Sequence, residues 1–512
     1  RAGGHVGHRP GTAMNTKAAI RDIELAGARC LVVGLAREGT ALTRFLVEHG
    51  AAVTVTDARP AGALEEALAA LAGLPVALVL AEHPLSLLDE AQILFVSPGV
   101  PLDIPLLVEA RRRALPLSSE TRLFTRLCPA PIVGITGSSG KTTTTVLTSR
   151  MLSRAGGPGR VWVGGNIGQP LIGNLGSAVA IGPQDRVVME LSSFQLEFFA
   201  PWPPPAAERA RQAILAGGHA QLFDPSGWSP PLAAVLNITP NHLDRHGTMA
   251  AYIAAKEQML AHQGAVDVAV LNWDDATTRR MGLEATQRVL WFSLEERVTQ
   301  GTWLRGQELV LQLPDREEVV CQTGEMRLRG RHNVANVLAA CGLASAAHAP
   351  LETLRREVTT FAGVEHRLEL VRERAGVRWY NDSIATSPER AIAGLRSFDE
   401  PIILLAGGRD KHLPWEEMAA LIRRRVRHLV LFGEAARLIE AAVEHARPSS
   451  AQAEAFVGLH HAGSLERAVA MAAGLAQPGD VVLLSPGGTS FDGYADFVAR
   501  GEHFRQLVKA LE

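Results

Sequence analysis

Lysine is scarce in this chain of 512 residues: only five of its 51 basic residues are lysines. Cysteine is also rare. The four cysteines form no Cys-x-x-Cys pair, which indicates a reducing compartment and excludes a zinc framework of cysteines. No apolar run reaches the roughly 18 residues that a bilayer span needs. The formal net charge of -2 gives no strong attraction to nucleic acid or to an anionic membrane. We therefore expect a cytoplasmic protein with neither of those partners.

The remaining composition is that of a globular protein. Hydrophobic residues make up 47% of the chain and charged residues 20%, a balance that argues against disorder. At roughly 150 residues per domain, the length indicates about three domains. Residues 1–13 are polar, rich in glycine and without the apolar core of a signal peptide, so we expect a disordered extension there.

Short apolar strands alternate with helical stretches, the pattern of α/β domains with mostly parallel sheets. We predict a Rossmann-like N-terminal domain over 14–128, a central domain like a P-loop ATPase over 129–363, and a Rossmann-like C-terminal domain over 364–512. The proline- and glycine-rich residues 201–230 are predicted to be a surface insertion in the central domain. Strands are predicted at 29–33, 52–56, 93–96, 132–135, 186–190, 233–238, 266–271, 377–380, 402–406, 428–432 and 481–484.

The first domain begins with a strand, a glycine turn, a helix, a strand and an acid, the order of a nucleotide-binding βαβ unit. The turn reads Gly34-Leu-Ala-Arg-Glu-Gly39 rather than Gly-x-Gly-x-x-Gly, so it fits a packing turn equally well. The strand at 93–96 leads into Ser97-Pro98-Gly99, a tight turn at the end of a sheet where α/β folds bind ligands.

The strongest local signal is Thr136-Gly-Ser-Ser-Gly-Lys141-Thr142, between a predicted strand and a predicted helix. Glycines let backbone N–H groups surround a phosphate, and the helix N-terminus adds a positive dipole. Lys141 supplies a compact charge that a planar guanidinium would not reproduce, and Thr142 supplies a hydroxyl for Mg²⁺. The upstream glycine, Gly134, comes one residue earlier than in the strict P-loop pattern. The flanking strand and helix still favour a phosphate loop over a packing turn.

Four further residues are considered as candidates for chemistry. Glu190 ends an apolar strand, where P-loop enzymes place a Mg²⁺-binding acid, although it could equally cap the next element. His242 and His246 are four residues apart, but no cysteine or His-Glu-x-x-His pattern supports zinc, so a hard metal or a substrate suits His242 better. Lys256 lies in a predicted helix, where it is either solvated or buried, and a buried lysine can lose its proton and react as an amine.

These motifs occur in a fixed order, and with them the chain resembles the Mur ligase family of ATP-dependent peptidoglycan-precursor ligases. The resemblance extends from about residue 29 to the C-terminus. Its motifs are TGSSGKTTT at 136–144, GGNIG at 164–168, ELSSFQLE at 190–197, NITPNHLDRHG at 237–247, AYIAAK at 251–256, GRHNVANVLAA at 330–340, HRLE at 366–369, YNDSIATSP at 380–388, GGRDK at 407–411 and SPGGTSFD at 485–492.

The resemblance implies a monomer in which one domain binds UDP, one binds ATP and the third closes over the site. It is greatest to the members that add glutamate, as the D-isomer, to UDP-N-acetylmuramoyl-L-alanine. In such a reaction ATP converts the substrate carboxylate into an acyl phosphate, and the incoming amine then displaces the phosphate. The cofactors implied are ATP, two Mg²⁺ ions and a carbamate that CO₂ forms on Lys256.

The same resemblance assigns site residues. The implied catalytic residues are Lys141, Glu190, His242, Lys256 and Asp382. The implied ATP-binding residues are Thr136, Gly137, Ser138, Ser139, Gly140, Lys141, Thr142, Thr143, Asn336, Arg367, Asp382 and Lys411. The implied Mg²⁺ ligands are Thr142, Glu190, His242 and carbamylated Lys256. The implied substrate-binding residues are Asp57, Arg59, Ser97, Pro98, Gly99, Asn166, Ser192, His242, Ser490 and Phe497.

The chain departs from the family at one position. The best-known members read NDSKAT in the C-terminal domain, and their lysine pairs with a carboxylate of D-glutamate. This chain has Ile384 there, and an apolar side chain cannot pair with a carboxylate. Either another cation, such as Lys411 or an arginine, takes over, or glutamate binds differently.

Three alternatives therefore remain open. The first is a related ligase that uses L-glutamate or another amino acid. The second is a folylpolyglutamate-type ligase, although that type usually begins directly with its ATPase domain. The third is a nucleotide-binding regulatory subunit. Related subunits carry a zinc-binding cysteine cluster that this chain lacks, and the intact Glu190, His242, Lys256 and Asp382 favour active chemistry.

Overall fold

The computed structural model describes residues 25–176, 180–411, 413–446 and 455–511, and the predicted extension at 1–13 lies outside this part of the chain. Three α/β regions are built on sheets of five, nine and six strands, which confirms the predicted fold class. Internal contacts divide the chain into two compact units. Among the described residues, the first unit comprises those up to 304 with 311–318 and 339–354, and the second comprises 305–310, 319–338 and those from 355 onwards.

The N-terminal sheet is wholly parallel, with the strand order β3-β2-β1-β4-β5. The strand order reverses between β1 and β4, and open α/β sheets bind ligands in the crevice at such a point. Gly34 and Ser97 directly follow those two strands. The elements are β1 Arg29–Val33, α1 Arg37–Glu48, β2 Ala52–Asp57, α2 Glu65–Ala70, β3 Val76–Leu80, β4 Ile93–Val96, α3 Pro105–Arg112, β5 Leu117–Ser118 and α4 Glu120–Leu127.

The central sheet has the order β14-β13-β12-β11-β10-β9-β6-β8-β7, and its strands from β7 to β12 pair in parallel. The neighbouring strands β9, β6 and β8 run in parallel, so their carboxyl ends meet at one edge of the sheet. The elements are β6 Ile132–Thr136, α5 Lys141–Arg154, β7 Val161–Gly165, β8 Arg186–Glu190, α6 Ser193–Leu196, α7 Pro204–Leu215, β9 Leu232–Val235, α8 Leu243–His246, α9 Met249–Glu257, β10 Val268–Asn272, α10 Ala276–Leu283, β11 Arg288–Ser293, β12 Gly301–Arg305, β13 Glu308–Gln312, β14 Glu317–Gln322, α11 Arg331–Ala346 and α12 Leu351–Thr360.

The C-terminal sheet has the order β15-β16-β20-β17-β18-β19, and only the edge pair β15–β16 is antiparallel. Its middle strands are buried along their length, as in other sheets that are covered on both faces. The elements are β15 Glu369–Arg374, β16 Val377–Asn381, α13 Pro388–Leu395, β17 Ile402–Gly407, α14 Glu416–Arg425, β18 Val426–Phe432, α15 Ala436–His445, β19 Gly458–Gly463, α16 Leu465–Leu475, β20 Val481–Gly487 and α17 Phe497–Ala510.

Residues 201–230, the predicted surface insertion, are in part helical and contribute to the core. Pro204 starts α7 rather than breaking it, because the first turn of a helix needs no N–H at that position. Trp202 and Phe223 are buried in the hydrophobic core. The Arg122 guanidinium, itself buried, donates to the carbonyls of Asp224 and Ser226 at 3.1 and 2.8 Å. Hydrogen bonds from Arg122 of α4 therefore hold this segment in place.

None of the described helices combines the length and the apolar character that a membrane crossing requires.

Candidate active site

The phosphate loop connects β6 to α5. Gly140 precedes the helix with a φ of 81°, a left-handed conformation that glycine adopts without strain. The N–H groups of Ser138 and Ser139 donate to the carbonyl and the side-chain oxygen of Asn237, each at 2.9 Å. Lys141 begins α5, and its Nζ donates to the Gly137 carbonyl at 2.9 Å. The ammonium group thus lies across the loop, beside a helix N-terminus that attracts anions.

Three polar side chains meet at the carboxyl end of β8. Glu190 is the last residue of that strand and is buried. One carboxylate oxygen accepts from the Thr142 hydroxyl and the other from the Asn166 amide, both at 2.8 Å. A carboxylate beside a hydroxyl is a suitable set of oxygen ligands for Mg²⁺. The predicted metal ligands Thr142 and Glu190 are therefore together, with the predicted substrate residue Asn166 next to them.

Lys256 is buried in α9, with 1% of its surface exposed. Its Nζ donates to the Thr136 hydroxyl and to the Gly137 carbonyl, both at 3.1 Å, and lies 4.9 Å from the centre of the Tyr252 ring. Burial, assisted by the positive charge of Lys141, lowers the pKa of Lys256 well below its usual value. The amine is therefore held beside the phosphate loop in an environment that favours its neutral form.

The two predicted histidines contact the same aromatic ring but differ in burial. His242 is exposed at the start of α8, with a φ of 53°, and its ring meets the Phe194 ring edge-on at 5.0 Å. His246 is buried, and its two ring nitrogens lie 2.9 Å from the Ser193 hydroxyl and 3.3 Å from the Glu197 carboxylate. Among the described residues, no three side chains of metal-ligating type form a cluster. The metal role of His242 stays a prediction.

Ser192 caps α6 in a reciprocal arrangement with Gln195. The Gln195 N–H donates to the Ser192 hydroxyl at 3.2 Å, and the Gln195 side-chain oxygen accepts from the Ser192 N–H at 3.0 Å. The Gln195 amide also donates to Glu38 of α1 at 2.9 Å. Burial raises the pKa of Glu38, and that of the neighbouring Glu120 as well. The predicted substrate residue Ser192 is thus linked to the glycine turn of the N-terminal domain.

The predicted UDP residues surround that turn. Asp57 is buried and accepts from the Leu35 N–H at 2.7 Å and from Arg59 Nε at 2.9 Å. Burial opposes its ionisation, but hydrogen bonds from Arg59 and Leu35 outweigh burial and lower the pKa of Asp57 to about 2. The Ser97 hydroxyl, which begins the Ser97-Pro98-Gly99 turn, donates to the Gly34 carbonyl at 2.7 Å.

Gly39 explains the glycine pattern of this turn. A Cβ at Gly39 would lie 2.0 Å from the Gly34 carbonyl oxygen, so no residue with a side chain fits at position 39 in the first turn of α1. The two glycines therefore have a packing function. A Cβ at Gly34 would likewise lie 2.7 Å from the Val100 side chain and 3.0 Å from the Ser97 side chain.

In the second unit, Asp382 follows β16 and is buried. Its carboxyl group accepts from the Ser485 hydroxyl at 2.8 Å and from the Leu368 N–H at 3.3 Å. Burial raises the pKa of Asp382 to about 7, although Arg367 acts in the opposite direction. Burial and then the charge of Arg367 also lower the pKa of His332 in α11. Arg367 is thus close to Asp382 and to the helix that carries the buried Asn336.

Phe497 begins α17 and Ser490 precedes that helix; both are predicted to bind the incoming amino acid. The Phe497 carbonyl accepts from the Ser383 hydroxyl at 2.8 Å, and the buried Ser490 accepts from the Tyr494 N–H at 2.8 Å. Lys411 is exposed after β17. Burial and the charge of Arg390 lower the pKa of Lys411.

Comparison with known families gives three matches along the chain. They are the N-terminal domain described as Mur ligase MurD-like over 28–118, the Mur ligase middle domain over 219–344, and the Mur ligase glutamate ligase domain over 366–488. A protein of Symbiobacterium thermophilum named UDP-N-acetylmuramoylalanine--D-glutamate ligase is 41% identical over 488 residues, which are 94% of this chain and 98% of that protein. The chain belongs to the Mur ligase family. Each match lies inside one predicted domain, while the domain boundaries stay predictions.

Other relatives and solved structures agree with this membership. A protein of the same name from Roseiflexus sp. is 40% identical over 500 residues, which are 96% of this chain and 100% of that protein. The UDP-N-acetylmuramate-alanine ligase MurC of Thermotoga maritima shares the fold, with a TM-score of 0.53 and 16% identity over 94% of this chain and 99% of that one. MurF ligase of Thermotoga maritima, solved with ADP, has a TM-score of 0.51 and 18% identity over 95% of this chain and 96% of that one. As a Mur ligase, the protein is an ATP-dependent acid–amino-acid ligase.

The sequence did not reveal several residues that support the site of this Mur ligase. Arg500 is completely buried in α17 and donates to the Ser383 hydroxyl at 3.0 Å, to the Ser383 carbonyl at 2.9 Å and to the Thr489 carbonyl at 3.0 Å. Glu38 and Gln195 connect α1 with α6 across 157 positions of sequence. Nothing in their local sequence distinguishes these residues from surface charges and amides.

Proposed function

We propose that this Mur ligase joins D-glutamate to UDP-N-acetylmuramoyl-L-alanine, with ATP as the second substrate, in the synthesis of peptidoglycan precursors. The observation that carries the proposal is the arrangement of Thr142 and Glu190, 2.8 Å apart, beside the phosphate loop and the buried amine of Lys256. The choice of substrates is supported by the names of relatives that are 41 and 40% identical over nearly the full chain.

ATP would bind through its phosphates to residues 136–143. The carboxylate of the L-alanyl group attacks the γ-phosphorus, and the bond from that phosphorus to the bridging oxygen breaks. ADP leaves, and the substrate now carries an acyl phosphate. The ammonium of Lys141 and the N-terminus of α5 stabilise the charge on the phosphate oxygens. Thr142 and Glu190 would hold one Mg²⁺, which supplies further neutralisation of phosphate charge when it is bound.

Lys256 would act through its neutral amine. Burial disfavours the ammonium form of Lys256, and only the neutral amine can take up CO₂ to give a carbamate. A carbamate exchanges a positive charge for a carboxylate-like group. With His242 it would provide oxygen and nitrogen ligands for a second Mg²⁺.

The incoming amine then attacks the acyl carbon, an amide bond forms, and phosphate leaves. Ser490 and Phe497 are proposed to position the amino acid, while Asn336, Arg367, Asp382 and Lys411 are proposed to contact the nucleotide. The proposed residues for UDP and the muramoyl group are Asp57, Arg59, Ser97, Pro98, Gly99, Asn166 and Ser192.

The remaining proposals concern the whole chain. We propose domains over 14–128, 129–363 and 364–512 in a monomer that works in the cytoplasm, without nucleic-acid or membrane partners. The net charge of -2 supports the last point.

The proposal is tested by phosphate release from ATP in the presence of Mg²⁺ and UDP-N-acetylmuramoyl-L-alanine. The purified chain is assayed with D-glutamate, L-glutamate, D-alanine and D-aspartate, and with each substrate omitted in turn. We expect release that requires every component and is fastest with D-glutamate. Release that depends on no amino acid would refute the ligase function, and faster release with L-glutamate would refute only the D-isomer.

A further inference from the structure

Ser193, His246 and Glu197 form a row of polar side chains in the central domain. His246 Nε2 lies 2.9 Å from the Ser193 hydroxyl, and His246 Nδ1 lies 3.3 Å from Glu197 Oε1. The His246 side chain is 2% exposed, and Ser193 is 3% exposed. Hydrolase triads combine the same three chemical groups in the same order, but a serine this deeply buried is not accessible to a substrate. The row therefore has another role.

Glu197 also contacts the arginine that precedes His246. Arg245 Nη2 donates to Glu197 Oε2 at 3.4 Å, and Arg245 Nη1 donates to the Val100 carbonyl at 2.7 Å. Val100 directly follows the turn at 97–99, which is proposed to bind UDP. Two consecutive residues of α8 thus contact one carboxylate, and the first of them also reaches the N-terminal domain.

The helix α8 depends on such contacts because it is a single turn of four residues. It begins at Leu243, directly after His242. So short a helix is not stable by itself, since the cost of helix nucleation exceeds the gain from its few hydrogen bonds. The His246 ring also lies 5.2 Å from the Tyr252 ring and 5.6 Å from the Phe194 ring. His246 therefore joins α8 to both α6 and α9.

The three segments that meet at His246 carry residues of the proposed site. Ser192 caps α6, His242 precedes α8, and Lys256 lies within α9. A shift of α8 would therefore move His242 relative to Ser192 and Lys256. Misplacement of a functional group by about 1 Å can reduce the rate of an enzyme about 100-fold.

We propose that His246 is a positioning residue of the active site. Through its contacts with Ser193 and Glu197 it holds α8 in place, and it thereby fixes His242 relative to α6 and α9. The inference rests on the proposed function, because only there is His242 a residue of the site. We expect an effect on kcat rather than on the KM for the amino acid, which is proposed to bind to other residues.

The kinetic test uses His246→Phe, which keeps an aromatic ring and loses both ring nitrogens. We expect kcat to fall about 10- to 100-fold with the amino acid that wild type accepts best, while the KM for that amino acid changes less than about twofold. His246→Gln, whose amide can still reach the Ser193 hydroxyl, should recover part of the loss. His461→Phe is the matched control, because His461 lies 3.1 Å from Glu440 but belongs to the C-terminal sheet.

Hydrogen exchange provides a measurement that does not depend on activity. In His246→Phe, the backbone amides of 243–247 should exchange at least about 10-fold faster because α8 opens locally, while those of β6 keep the exchange rates of wild type. Ser193→Ala removes only the contact of 2.9 Å, so it should lower kcat and accelerate this exchange by about threefold. If His246→Phe did not fold, Ser193→Ala would decide, and wild-type behaviour of that variant would overturn the inference.

The other outcomes are also distinct. An unchanged kcat in folded His246→Phe would overturn the inference, and so would unchanged exchange over 243–247. Faster exchange in β6 as well as in α8 would assign His246 to global stability and would also overturn it. If no amino acid supported phosphate release by wild type, the proposed function would be rejected together with the inference, whereas a normal wild type with an unaffected variant rejects the inference alone.

Discussion

At the scale of single residues, the most informative side chain is Lys256. Its amine is enclosed by the Thr136 hydroxyl, the Gly137 carbonyl and the Tyr252 ring. In the proposed function an arginine could not replace it, because a guanidinium stays protonated and cannot take up CO₂. The proposed carbamate would account for a buried lysine at this position in a chain so poor in lysine.

Lys256→Ala should therefore reduce the rate of phosphate release by at least about 100-fold, because the variant lacks the oxygen ligand that the proposed carbamate supplies near the transferred phosphate. Added formate or acetate should restore part of the rate, because a small carboxylate can replace the carbamate. Lys256→Arg should not be restored by either. Lys509→Ala, at an exposed lysine of α17, serves as the control and should behave as wild type. Full activity of unsupplemented Lys256→Ala would contradict the carbamate.

Asp382 makes a prediction about stability and pH. Its pKa is about 7 in the folded chain, above the ordinary value of an unfolded aspartate, because burial disfavours the charged form. The folded state thus binds the proton more tightly than the unfolded state. The stability contributed by the protonated form is complete below about pH 4 and is lost as the pH rises through about 7.

Asp382→Asn removes this proton, so the stability of wild type relative to the variant should fall by up to about 1.4 kcal/mol per pH unit between about pH 4 and 7, and then level off. Urea midpoints measured at a series of pH values check this. Asp399→Asn, at an exposed aspartate, is the control and should follow wild type. Parallel curves for wild type and Asp382→Asn would show that the carboxyl group titrates normally.

At the scale of elements, Arg500 attaches α17 to the loops after β16 and β20. Its guanidinium binds Ser383 through both hydroxyl and carbonyl, and it binds the Gly488 and Thr489 carbonyls on the other side. The helix that carries Phe497 is therefore fixed relative to the segment that carries Asp382. A lysine could satisfy only part of this set, since its three donors do not have the planar arrangement of a guanidinium.

Arg500→Lys should lower the free energy of unfolding by about 2 kcal/mol or more, because buried carbonyls lose their donors. It should also raise the KM for the amino acid more than the KM for the UDP substrate, since the loops beside Ser490 lose their attachment. Gln506→Ala, at an exposed position of α17, is the control. A destabilised variant with equal KM changes for all substrates would assign Arg500 to stability alone.

The strands that the sequence predicted are all interior strands of their sheets, but the interior strands β11, β12 and β13 were not predicted. Residues 402–406 and 481–484 are uninterrupted apolar runs, and β17 and β20 lie at the middle of their sheet. Edge strands were missed for a physical reason. β15 reads ELVRER and pairs on one side only, so its charges face water and its pattern is not that of a buried strand. The prediction for 233–238 extended three residues past the end of β9 at Val235.

At the scale of the whole molecule, the sequence identified those parts of the site that lie in short continuous motifs. Lys141 and Thr142 follow β6 after the phosphate loop, and Glu190 ends β8; parallel strands bring their carboxyl ends to one edge of the sheet. The sequence did not predict which distant segments contact one another. Arg500 meets Ser383 across 117 positions, and a buried arginine has the same letter as an exposed one.

The distribution of the few lysines has a practical consequence. Lys256 is buried, Lys141 lies across the phosphate loop, and Lys411 is exposed after β17. Lysine enriched in ¹³C and ¹⁵N at its terminal carbon and nitrogen would give a magnetic-resonance spectrum of only five side-chain signals. Three of the five signals come from these lysines. Substrate binding near each lysine could therefore be followed by titration, without any substitution or cysteine label in the chain.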